Sequence, residues 1–222
     1  MIELRHGRVS IALHPLRDAA GPALLCLHSL GGSGWDFAEA APLWPGPVYA
    51  LDFSGHGASG PLRGGGYHPE ILAGDADAAL SHVGPACLVG AGIGAYVALL
   101  LAGGRADAVP AALLLPGAGL SGGGAAPDHA SDTIERWDRL GAPLPGCDPA
   151  VRRLERDLRP PDYAEAFARE ARQLLLAEGD FLRPPWWEAV RATPTAAPAP
   201  RDLAGGVARL ASIALGEAQR GA

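Results

Sequence analysis

Gly90, Ala91, Gly92, Ile93 and Gly94 are the most chemically suggestive stretch of the chain, because they end an apolar run, ACLVG, and open another of helical period. Small residues at such a junction let the backbone bend sharply, and the first amides of the helix that follows face an anion. With Ala95 the stretch also fits G-x-G-x-x-[GA], the outline of a dinucleotide-binding turn. Such a turn needs an acidic residue at the end of the next strand to hold a ribose hydroxyl, and Pro116 and Gly117 stand there instead. The glycines are therefore read as a tight turn that packs a helix on a strand, and no cofactor is expected.

Other residues offer weaker chemistry. His28 and His56 flank Asp52 in sequence and are candidate bases, while Ser29, Ser54 and Ser121 are candidate nucleophiles that, without an assigned base, read as turn or cap residues. Asp128 and His129 adjoin in APDHASD, where a helix N-cap at Asp128 or Ser131 is the plainer explanation. Trp137, Tyr163, Trp186 and Trp187 could line a pocket for an apolar ligand or simply pack a core. Cys26, Cys87 and Cys147 include no CxxC pair and no histidine at zinc-ligand spacing, so neither a disulfide framework nor a metal site is expected.

These residues must be positioned by alternating strands and helices. Apolar runs at 23–28, 48–52, 86–90 and 111–116 read as buried strands, 8–13 as an edge strand and 172–178 as a sixth. Helical period falls at 34–41, 69–82, 93–103, 130–140, 149–158, 162–171, 185–192 and 202–218. The class is α/β, with a mostly parallel central sheet covered by helices on both faces. Residues 118–171 read as a small helical cap, and the prolines and alanines of 192–202 predict a last strand that is weak or lost. The 222 residues make one domain, 1–222.

Charge narrows the partners. All 18 basic residues are arginine, and 24 acidic ones leave a net charge of −6, a balance that argues against nucleic acid. The arginines of VRRLERDLRP interleave with acids and read as a solvated face. The N-terminus lacks an apolar core of a secretion signal, and the run at 86–102 is too short and glycine-broken to span a bilayer. A cytoplasmic protein whose mature chain starts at Met1 is expected, with a homo-oligomer left open.

Three segments in order resemble the α/β-hydrolase fold family. LLCLHSLGGSGWDF (24–37) is similar to its first apolar strand and oxyanion loop, with Ser29 where a glycine is usual. LDFSGHGASG (51–60) is similar to its Asp-x-x-Gly-His-Gly-x-Ser turn, and LVGAGIGAYVALLLAG (88–103) stands where its nucleophile elbow belongs. The resemblance puts Gly92 at the nucleophile position, so no side chain is there to attack. It asks for a histidine after the last strand, and none follows His129; Asp180 alone could stand at the acid position. It further implies that His28 and His56 tie loops together. The amides of Leu30 and Ile93 are left as an anion-binding pair, with His28, Ser29, Trp35 and Phe37 around the substrate.

Losing a nucleophilic serine or its histidine costs on the order of 10⁶ in turnover. The leading expectation is thus a family member with a degenerate triad. It binds a small, partly apolar carbonyl or carboxylate compound under the cap, or acts on it without hydrolysis. A hydrolase with its nucleophile relocated to Ser29, or using a water activated by His28 or His56, is the alternative. A scaffold for a protein partner is the third.

Overall fold

Every residue of ALLCL, ALLL and LLLA is buried, as strands covered on both faces require, and these runs make the middle of one eight-stranded sheet. The computed structural model describes residues 1–120, 147–181 and 183–220. The strands are β1 (Ile2–His6), β2 (Val9–Arg17), β3 (Ala23–Leu27), β4 (Val48–Asp52), β5 (Ala86–Ala91), β6 (Ala112–Leu115), β7 (Leu174–Ala177) and β8 (Ala196–Ala199). Their spatial order is β1-β2-β4-β3-β5-β6-β7-β8. β2 runs antiparallel to β1 and β4, and all other pairings are parallel.

Among the described residues five α-helices connect them: α1 (Pro69–Val83), α2 (Ile93–Gly104), α3 (Pro161–Glu170), α4 (Pro185–Arg191) and α5 (Leu203–Arg220). The first four pack against one another, whereas α5 meets the 3-10 helix Gly34–Leu43 on the opposite face. No helix among the described residues is long and apolar enough to cross a membrane.

The structure departs from the sequence reading at one end of the sheet. β1 was not expected, because only Ile2 and Leu4 among its five residues are apolar; they alternate with exposed Glu3 and Arg5, the pattern of a true edge. The strand expected at that edge, 8–13, is longer and lies inside, paired on both sides, which explains why Ile11 to Leu13 are fully buried. At the far end β8 is formed as a weak last strand, one of the two outcomes expected there. It is short and lies at the edge, opposite Leu176, where Pro198 costs few ladder bonds. The predicted helices at 34–41 and 149–158 are the 3-10 helices Gly34–Leu43 and Pro149–Arg156. Within the predicted cap, 118–171, the helix expected at 130–140 lies outside the described residues, and α3 lies against α2 and α4.

Candidate functional site

Gly92 sits between β5 and α2 with φ +55 and ψ −119, a conformation that glycine adopts without strain. Its neighbour Gly94 packs so closely on β3 that a Cβ there would lie 2.1 Å from the Leu27 carbonyl oxygen. The bend has the shape of a nucleophile elbow, but the space above it is filled. A Cβ on Gly92 would lie 2.1 Å from the carbonyl oxygen of Ala118 and 2.6 Å from the carbonyl carbon of Gly117, both on the loop that leaves β6.

That same Ala118 oxygen accepts two hydrogen bonds, from the Ile93 amide at 3.0 Å and from the Leu30 amide at 3.1 Å. The sequence reading left this amide pair open for a ligand; in the structure the chain's own carbonyl occupies it. The physical reason is that Leu30 and Ile93 are buried, and buried N–H groups must be paired. Gly119 follows with φ +102, pressed onto both residues: its Cβ would lie 2.9 Å from the Ile93 Cβ and 3.2 Å from that of Leu30. Leu120 then takes φ +58 and donates its amide to the Leu154 carbonyl at 2.9 Å.

Glu155, next to Leu154, is 1% exposed although the arginines around it, Arg152, Arg153 and Arg156, are exposed. Burial raises its carboxyl to about 7, against the Gly119 amide and Arg156, which both pull it down. The solvated face read from VRRLERD therefore has an inward carboxyl that charge counting hid.

Asp52 organises the other loops. One oxygen accepts from the Gly34 amide at 2.7 Å, and the other from the Ala58 amide and His14 Nε2, each at 2.8 Å. Burial alone would raise this carboxyl, but the two amides and His14 outweigh it and hold it below its ordinary value. His28 donates from Nδ1 to the Ser29 carbonyl at 2.7 Å and accepts the Phe53 amide at Nε2, 3.0 Å away. His56 donates to the Ser54 carbonyl at 3.2 Å, with its ring 4.8 Å from that of His28. Burial lowers His28 to about 4, and burial together with His28 lowers His56 to about 3, so both are neutral at pH 7. His28 has both nitrogens engaged in loop contacts and none left for a substrate, as the loop-tying role implies.

The remaining expected site residues are dispersed. Trp35 is 60% exposed with its ring 5.2 Å from His14, whereas Phe37 is 3% exposed within the core. Trp186 and Trp187 are core residues, edge-on to Tyr96 and Phe181 respectively, and Tyr163 lies against Phe167. Ser121, Asp128, His129 and Trp137 lie outside the described residues. Cys26 and Cys87 are buried in their strands; burial pushes the Cys147 thiol up to about 11. No group of three or more potential metal ligands is found among the described residues.

Asp180 lies just past β7 and is exposed. Its backbone carbonyl accepts from Arg201, at 3.0 Å, and Arg201 is the first cation after β8. Arg201 and Arg183 both lie over the Phe181 ring, at 5.4 and 4.6 Å from its centre. Sequence reasoning missed Arg201; its only signal was a charged residue directly after the last strand.

Solved structures of the same architecture were found. The hypothetical protein PA1622 from Pseudomonas aeruginosa PAO1 superposes with a TM-score of 0.70 at 21% identity, over 97% of this chain and 99% of its own. The thioesterase domain from the curacin biosynthetic pathway gives 0.68 at 20% identity, over 96% and 98%. Est816, described as an N-acyl homoserine lactone degrading enzyme, gives 0.64 at 19%, over 99% of each. At such identities the likeness is one of fold. No curated protein sequence matches significantly. The model of the Alpha/beta hydrolase family matches residues 24–216. Together with the strand order and the elbow at Gly92, that match shows that this chain belongs to the α/β-hydrolase family.

Proposed function

We propose that this chain does not hydrolyse its ligand through a serine. It binds a small, partly apolar carbonyl or carboxylate compound beneath residues 118–171, or acts on it without a covalent enzyme intermediate. One observation carries the reading: the Ala118 carbonyl fills both the amide pair and the volume that a side chain at residue 92 would need. Serine hydrolysis requires both to be open, the first to stabilise an oxyanion and the second to hold the attacking hydroxyl. A ligand oxygen reaches the amides of Leu30 and Ile93 only when Ala118 gives them up.

The test is a fluorophosphonate probe with a panel of activated esters, followed by thermal melting with hexanoate and ethyl hexanoate. The expected result is no covalent adduct, no turnover above the uncatalysed rate, and a melting shift that grows with ligand concentration. An adduct on a serine such as Ser29, accompanied by turnover, would overturn it.

A further inference from the structure

Ala118 reaches the amide pair between two glycines, and neither position has room for a methyl group. A Cβ on Gly117 would lie 2.6 Å from the Gly92 nitrogen, and one on Gly119 would lie 2.9 Å from the Ile93 Cβ and 3.2 Å from the Leu30 Cβ. A Cβ cannot turn away from such a contact, because its own backbone fixes it. Leu30 and Ile93 are also the residues whose amides hold the Ala118 oxygen. Gly119 stands at φ +102, where L side chains are rare, and Leu120 at φ +58 is the one non-glycine residue with positive φ among the described residues. Strain of this kind persists only where the surroundings enforce it. The enforcing contacts are the two bonds to the Ala118 oxygen and the Leu120 amide on the Leu154 carbonyl.

We infer that Gly117–Leu120 is an autoinhibitory strap whose closure depends on Gly119: the missing side chain at 119 lets the strap seat and so holds the amide pair shut against a ligand. The inference rests on the proposed ligand binding and adds how that binding is restrained. Strap and ligand oxygen compete for the same two amides, so only molecules with the strap lifted bind, and the apparent affinity is lowered by their fraction. Gly119→Ala sets a methyl against Leu30 and Ile93 and imposes a strained φ in the seated form alone. Lifted, residue 119 is free to take a negative φ, and the substitution costs nothing there. Protection and affinity are therefore linked: the factor by which the variant lowers protection of the two amides is the factor by which it raises affinity.

The test measures amide hydrogen exchange by NMR and hexanoate binding on the full chain as wild type, Gly119→Ala and Gly64→Ala. Gly64, at φ +88 with nothing within 4 Å of an added Cβ, supplies similar backbone strain without a contact. In the wild type the Leu30 and Ile93 amides should exchange through a local opening that low urea leaves unchanged, while exchange of Leu25 and Val89 in the central strands rises with urea. Gly119→Ala should lower protection of the pair about ten- to a hundredfold and lower the hexanoate Kd by the same factor, and Gly64→Ala should change neither. Exchange of the wild-type pair that follows urea as Leu25 and Val89 do would overturn the proposal, whether or not the variant folds. So would Gly119→Ala showing no gain in affinity over a wild type that binds. A less protected pair in Gly119→Ala with hexanoate bound by neither protein would support the strap and contradict the proposed ligand instead.

Discussion

Gly92 and Ala118 touch backbone to backbone, so closely that one added carbon on Gly92 would sit 2.1 Å from the Ala118 oxygen. Putting back the serine that the family motif calls for therefore meets two obstacles, a filled site and a backbone at φ +55. Gly92→Ser is expected to lose roughly 2–4 kcal/mol of stability and to gain no esterase activity. Urea unfolding midpoints and an activated-ester assay check it; a stable variant with serine-dependent turnover would be the opposite outcome.

Asp52 ties three segments together through Gly34, Ala58 and His14. Asp52→Ala leaves the buried Gly34 amide and His14 imidazole, and the part-buried Ala58 amide, without their acceptor, and the expected cost is about 3–5 kcal/mol. The carboxyl sits below its ordinary value in the folded chain, so its contribution is present above the unfolded value of 3.8 and is lost as pH falls through the lower folded one. Chemical denaturation of Asp52→Asn from pH 7 down to pH 2.5 should show a shallower acid loss than the wild type.

The histidine pair acts in a higher window. His28 and His56 titrate at about 4 and about 3 when folded and at 6.5 when unfolded, so the unfolded chain takes up the protons first. Their stabilising effect is complete above pH 6.5 and declines as pH drops below it. His56→Asn should lower stability at pH 8 but lose about 1.4 kcal/mol per pH unit less than the wild type between pH 6.5 and 4. Equal slopes for the two proteins would show that His56 does not titrate in this window.

The sheet was legible wherever burial on both faces forces an unbroken apolar run, as in ALLCL and ALLL. It was illegible at β1, where three of five residues are polar and only alternation marks the strand. The elbow could be read from Gly90 and Gly94, because those glycines exist to let backbones touch. What fills the elbow could not: Pro116 to Leu120 has no period, and nothing in PGAGL says that an alanine carbonyl turns toward Leu30 and Ile93. Glu155 was hidden for a different reason. A 3-10 helix places Val151, Leu154 and Glu155 inward, and among arginines the acid looks like one more surface charge.

The most direct measurement is the scalar coupling carried across a hydrogen bond, read by NMR from the amide nitrogens of Leu30 and Ile93 to the carbonyl carbon of Ala118 in the isotope-labelled chain at pH 6. Both couplings should be present without ligand, each weakening on addition of a carboxylate that takes Ala118's place. If neither is found, and both amides instead exchange with water at the rate of an open loop, the amide pair stands vacant and the self-occupied site does not exist.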